Sequence, residues 1–231
     1  MRPARTRGSQ GTASPLAWRP RCAGDLIGHA AQVASCLLAK ARVSRSNGRP
    51  PMKILLYGPP GIGKTTIAEL VATELAGTPL GVEDFNGKLI GVETVKAWVG
   101  GLGYGSLFGD FSVRIVNELD RCSRDAQDLL LTYLDKLPPG RAFIGTSNLQ
   151  LDLLTERFQT RFQAIRLRAP ETDEIARFLS SRWKVDPTVA TQIAVGSGGC
   201  VRAALADLEN WFDANRCVDS PALSDATQRN R

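Results

Sequence analysis

Apolar residues along this chain alternate between short unbroken runs and helical spacing, and that alternation predicts strands and helices in turn. Met52–Tyr57 reads as a buried strand. Further strands are predicted at residues 80–85, 111–116, 142–146 and 164–167. Helical spacing covers residues 65–76, 92–99 and 123–137, the first ended by Gly77 and Pro79 and the last by Pro138-Pro139-Gly140. Upstream, Leu26, Ile27, Ala30, Val33, Leu37 and Leu38 predict a helix from residue 25 to about residue 43, with Asp25 as its N-cap, before a loop over residues 44–51. Gly100, Gly101, Gly103, Gly105 and Gly109 mark a flexible loop or distorted hairpin. Strands of four to six residues alternating with helices imply βαβ units and a mainly parallel sheet. After Pro170 the strand signal stops, and residues 171–183, 187–195 and 200–215 all read as helices. The expected layout is a disordered basic arm over residues 1–15, an α/β domain over 16–169, a small helical domain over 170–216 and a flexible tail over 217–231.

Length and composition leave this picture intact. A chain of 231 residues with 43% hydrophobic content suits one mid-sized domain with a small satellite. Its apolar runs are strand-length, too short to span a bilayer, so a soluble, cytoplasmic protein is expected. The net charge of +6 suggests a nucleic-acid partner until it is located. Arg2, Arg5, Arg7, Arg19 and Arg21 account for +5 of it within the first 23 residues, which leaves the rest near neutral. That basic segment lacks the apolar stretch of a secretory signal.

The scarce reactive residues narrow the chemistry. Cys22, Cys36, Cys122, Cys200 and Cys217 are odd in number and never spaced as C-x-x-C, against a zinc ribbon or a disulfide framework and for a reducing compartment. His29 is the only histidine, so histidine-based triads and multi-histidine metal sites are not expected.

The richest signal is Gly58-Pro59-Pro60-Gly61-Ile62-Gly63-Lys64-Thr65, a G-x-x-x-x-G-K-[ST] run between a predicted strand and a predicted helix. Glycines let the backbone curl so that its N–H groups converge on phosphates at the positive end of the helix. Lys64 is placed to reach the β- and γ-phosphates and the Thr65 hydroxyl to bind Mg²⁺, with Thr66 beside them. ATP is the expected nucleotide.

The order of the remaining motifs resembles an AAA+ ATPase, a P-loop NTPase, and within that superfamily the small subunits of clamp loaders. Trp18-Arg19-Pro20 and Asp25-Leu26-Ile27-Gly28-His29 resemble the segment that lines the family's adenine pocket, which assigns Ile27 to the base. Phe85-Asn86-Gly87 resembles the residues after the family's second strand. Residues 113–120, Val-Arg-Ile-Val-Asn-Glu-Leu-Asp, stand at the Walker B position. There the resemblance gives Glu118 the role of polarising the attacking water, and Asn117 replaces the family's aspartate near Mg²⁺. Gly145-Thr146-Ser147-Asn148 resembles sensor 1, with Asn148 positioning the water. The segment around Arg161 resembles the arginine finger that completes a neighbouring subunit's site, Arg157 being a weaker candidate. Gly199-Cys200-Val201-Arg202-Ala203-Ala204-Leu205 resembles sensor 2, in which Arg202 reaches the γ-phosphate from the lid.

The resemblance implies a three-layer α/β P-loop fold with a helical lid, ATP and Mg²⁺ as cofactors, and a homo- or hetero-oligomer with other AAA+ subunits. It also implies, indirectly, action on nucleic acid. The expected function is an ATPase that couples ATP binding and hydrolysis to remodelling of a DNA-replication-type assembly, as a clamp or helicase loader does. The clamp-loader collar domain is not found after sensor 2. One alternative is a nucleotide-binding regulatory subunit with little hydrolysis, because an amide at Asn117 removes a charge beside the metal. The other is an AAA+ remodeller of proteins, for which Trp98, Tyr104, Phe108 and Phe111 are the available pore-loop aromatics.

Overall fold

The strands β1 (Met52–Tyr57), β2 (Val82–Asn86), β3 (Ser112–Asn117), β4 (Arg141–Ser147) and β5 (Gln163–Arg166) form one parallel sheet in the order β2-β3-β4-β1-β5. The structure, a computed structural model, describes residues 14–104, 111–148 and 156–218. Central strands of a parallel sheet are covered on both faces and so read as unbroken apolar runs. β4 is buried along its whole length and β1 nearly so, whereas the edge strands β2 and β5 are largely open to solvent.

The helices are α1 (Gly28–Ser46), α2 (Lys64–Ala76), α3 (Val92–Gly100), α4 (Arg124–Asp135), α5 (Glu156–Gln159), α6 (Thr172–Trp183), α7 (Pro187–Gly196) and α8 (Val201–Val218). Alternation along the strands sends Ile54, Leu56, Ile115 and Ile144 to one face, where they pack on Ile67 and Val71 of α2, backed by Leu37 of α1. Leu55, Val116 and Phe143 face the other way, onto Trp98, Leu130, Tyr133 and Phe158. The three-layer parallel α/β architecture expected from the sequence is therefore the one adopted.

Two local expectations are corrected. Asp25 does not cap α1. Its carboxylate accepts from the N–H groups of Arg21 (2.9 Å) and Cys22 (3.3 Å), closing a 3₁₀ turn over Ala23–Asp25, and the helix starts at Gly28. The second strand begins at Val82 rather than residue 80, because Pro79–Gly81 forms a 3₁₀ turn capped by the Thr78 hydroxyl.

The helices α6, α7 and α8 enclose a third apolar core, and its aromatic anchor comes from far away in sequence. Trp18 is only 9% exposed there, packed edge-on to Trp183 at 5.8 Å and tilted against Phe178 at 5.3 Å, with the Arg182 guanidinium over its ring. The N-terminal segment, expected to belong to the α/β domain, thus runs through the helical one. Ser14 lies within the expected arm, yet its hydroxyl donates to the Glu209 carboxylate at 2.7 Å, fastening the segment to α8. Residues 1–13 of the expected arm and most of the tail lie outside the described residues. Among the described residues no helix is long and apolar enough to cross a membrane.

Truncating a buried tryptophan leaves a cavity that costs about 3–5 kcal/mol. Trp18→Ala is expected to destabilise the helical domain by that order, seen as an earlier urea transition in tryptophan fluorescence. An unchanged midpoint would remove Trp18 from this core.

Candidate functional site

β1 ends at Tyr57 and α2 begins at Lys64, so the glycine-rich loop bridges the carboxyl end of a central strand and a helix N-terminus. No side chain caps α2, which leaves its first N–H groups free to bind an anion. Gly61 has φ +73°, and a Cβ there would overlap the Cys200 sulfur, so only glycine lets the loop pass this close to the start of α8. Lys64 is 7% exposed and donates from Nζ to the Gly58 carbonyl at 2.8 Å and the Pro59 carbonyl at 2.6 Å. Burial pushes its pKa down from 10.5 to about 8; Asp120 pulls it up and the charge of Arg202 pushes it further down.

Beside this loop lies a cleft of about 370 Å³ between the N-terminal segment, α2 and α8. Gly61, Ile62, Gly63, Thr65, Thr66, Ile27 and Arg202, all singled out from the sequence, line it together. The Arg202 N–H donates to the Gly61 carbonyl at 3.2 Å, which ties the helical domain directly to the loop. Pro59 contributes its carbonyl to Lys64, while Pro60 is exposed.

A polar network lies where the sheet meets the start of α2. Thr65 Oγ1 and Thr146 Oγ1 both donate to Asn117 Oδ1, at 3.0 and 3.1 Å, and Asn117 Nδ2 donates to Asp84 Oδ1 at 2.8 Å. An ionised carboxylate can only accept, so Asp84 fixes which way the amide faces. Burial raises the pKa of Asp84, against the pull of the Asn117 N–H, and burial followed by the charge of Asp84 raises that of Glu69. Glu118 has φ +55°, a left-handed conformation that costs a non-glycine residue about 1–2 kcal/mol. Its N–H donates to Thr146 Oγ1 at 3.3 Å, and its carboxylate pairs with Arg121 at 2.9 Å. Gly87 supports that backbone closely, since a Cβ there would overlap the Glu118 carbonyl oxygen.

Asn148 stands at the end of β4, where its N–H donates to Asp120 Oδ1 at 3.3 Å. The adjacent Ser147 carbonyl accepts from Gly58 N–H, which sets Asn148 one residue beyond a contact with the loop. The donor set suits a hard divalent cation: a threonine hydroxyl and an amide oxygen 3.0 Å apart, with carboxylates at hand. Thr65 and Asn117 are the residues that would hold Mg²⁺, which neutralises phosphate charge when bound.

Arg161 is not part of this cluster. β5 pairs with β1 through Ile54↔Gln163, which puts Arg161 toward the start of β1 and away from Gly58. There it forms a two-pronged ion pair with Asp135, both contacts 3.2 Å, and donates to the Arg157 carbonyl. Of the aromatics considered for a pore loop, Trp98 and Phe111 are buried in the cores, Tyr104 is 77% exposed and Phe108 lies outside the described residues. Sequence reasoning missed Asp84, Glu69 and the role of Thr146. Thr146 stood inside the motif quoted for Asn148, whereas Asp84 needed the β2–β3 register to be found.

Residues 54–169 match the family model described as "ATPase family associated with various cellular activities (AAA)". Residues 18–83 match that of the Holliday junction DNA helicase RuvB P-loop domain. The Holliday junction branch migration complex subunit RuvB of a Nocardioides species is 33% identical over 119 residues, 52% of this chain and 31% of that protein. The chain thus aligns with less than a third of this curated relative. The structure of the Thermotoga maritima RuvB Holliday junction branch migration motor superposes with TM-score 0.71 at 23% identity, covering 89% of this chain and 68% of that one. The Aeropyrum pernix Orc1 protein, solved in complex with DNA, gives 0.66 at 20% identity, covering 89% and 64%. Both likenesses are of fold.

Because Lys64 loses its proton near pH 8 in the free chain, binding a triphosphate above that pH requires proton uptake. Affinity for ATP is therefore expected to be level below pH 8 and to fall by up to about tenfold per pH unit above it. Calorimetric titrations in buffers of differing ionisation enthalpy should show close to one proton taken up at pH 9 and almost none at pH 7. Absence of uptake at pH 9 would contradict this reading of Lys64.

Proposed function

This chain belongs to the AAA family of ATPases, and on that premise we propose that it binds and hydrolyses ATP as a subunit of an oligomer acting on DNA. The observation that carries the proposal is the arrangement at the loop: Lys64 bonds its carbonyls, Thr65 is joined to Asn117, Asn148 follows the Ser147 that meets Gly58, and Arg202 N–H bonds the helical domain to Gly61. Lys64 and the free N–H groups of α2 receive the phosphates, and Ile27 and Ile62 border the space for the base. Glu118 orients and deprotonates the attacking water once its pairing with Arg121 is released. Arg202 answers the γ-phosphate from the lid, so the nucleotide state sets the angle between the two domains.

Arg161 lies away from its own loop, as a finger offered to a neighbour must. Its guanidinium adds positive charge to the partner's transition state. The name of the RuvB relative supports a DNA motor over a protein remodeller, and of the pore-loop aromatics Trp98 and Phe111 are buried while Tyr104 is exposed. The finer reading, a clamp-loader or helicase-loader role, rests on motif order; the RuvB matches draw it toward a branch-migration type of motor. Asn117 favours a second reading, a subunit that binds nucleotide and regulates without turnover.

Two inactive variants separate these readings. Glu118→Gln is expected to lower ATP turnover by about 10²–10⁴-fold, and Arg161→Ala by about 10³-fold or more, both with ATP affinity retained. Mixed together they should recover part of the activity, because some interfaces then pair an intact Glu118 with an intact Arg161. No recovery would contradict a finger acting between subunits. Wild-type turnover that is absent with and without duplex DNA would favour the regulatory reading. Stimulation by DNA should weaken as salt rises.

A further inference from the structure

At the Walker B position this chain has an amide, yet a carboxylate is bonded to it. Asp84 faces the same side of the sheet as Asn117, because β2 and β3 run parallel with Asn86 opposite Asn117 and residue 84 two positions earlier. That is the side on which α2 lies. Thr65 Oγ1, Asn117 Oδ1 and Nδ2, and Asp84 Oδ1 form one continuous chain of hydrogen bonds at 3.0 and 2.8 Å. Among the described residues no lysine or arginine forms an ion pair with Asp84, and its one side-chain partner is the Asn117 amide.

We propose that Asp84 supplies the negative charge that Asn117 lacks, acting from the neighbouring strand as a positioning residue for the divalent cation that accompanies ATP. The proposal rests on the assignment of the loop as an ATP site and deepens it. Asn117 then has two tasks. Its oxygen aligns the Thr65 hydroxyl, and its N–H group holds Asp84 in place. An aspartate at 117 would set two carboxylates at the 2.8 Å separation now spanned by a hydrogen bond, and like charges that close cannot both stay ionised. Amide and carboxylate have in effect exchanged places across two strands, and the site keeps one charge in total at this pair.

The test compares the affinity of the full chain for a fluorescent ATP analogue in Mg²⁺ with that in EDTA, and measures Mn²⁺ binding to the nucleotide complex by electron paramagnetic resonance. In the wild type Mg²⁺ should strengthen nucleotide binding. Asp84→Asn is expected to reduce that gain and to weaken Mn²⁺ binding about 10- to 100-fold, as loss of a metal's outer-shell partner does, while affinity in EDTA holds. Asn117→Asp alone should bring no gain, and the exchange Asp84→Asn/Asn117→Asp should recover at least tenfold of the metal dependence. The proposal is overturned if Asp84→Asn keeps the wild-type metal dependence. It is also overturned if affinity with Mg²⁺ and in EDTA falls in parallel, the mark of a structural role, or if the exchange recovers nothing. If the wild type binds no nucleotide, the assignment of the loop itself fails, a separate outcome.

Discussion

Lys64 carries its ammonium into a loop whose walls are backbone, and the carbonyls of Gly58 and Pro59 replace only part of the hydration it gives up. A buried cation compensated this way is poised for an anion, and the lowered pKa records that cost. Much of the fold serves to put it there. β1 is buried between β4 and β5, which fixes the end of the strand from which the loop springs. α2 offers an uncapped N-terminus in the same direction. The helical domain approaches so closely that Cys200 occupies the space a side chain at residue 61 would need. Under the proposed function, a phosphate held here borders both domains, and that shared border is how nucleotide state would reach the lid.

The other half of the site concerns negative charge. Hydrolysis needs a cation held beside the phosphates and a base aimed at water, and both depend on where carboxylates sit. Glu118 is presented on a strained left-handed residue, held by the Thr146 hydroxyl beneath it and by Gly87 against its carbonyl. Asn117 stands between the Thr65 hydroxyl and the Asp84 carboxylate, so the charge proposed for this site comes from the neighbouring strand.

The strand–loop–helix around Lys64 was legible in the sequence because its signals are local: an apolar run, glycines and a helical period. The same holds for the five strands and for the three helices of the lid. What was not legible depended on contacts between distant segments. Trp18 belongs to the lid core through Phe178 and Trp183, some 160 residues away, and no local pattern announces it. Asp25 has the residue type of an N-cap but spends its oxygen on the turn before the helix. Asp84 comes to Asn117 only through the β2–β3 register, which no local pattern reveals. Motif order points to Asn148, while the bond from Thr146 to Asn117 depends on how β3 lies beside β4.

The central claim is that this site recognises a nucleotide by its phosphates, through Lys64 and the start of α2. The most direct check is to titrate the wild-type chain at pH 7 with ATP, ADP and adenosine in the presence of Mg²⁺. Affinity should be highest for ATP and drop by orders of magnitude for adenosine, which offers Lys64 no anion. Adenosine binding as tightly as ATP, or no binding of ATP at all, would contradict it.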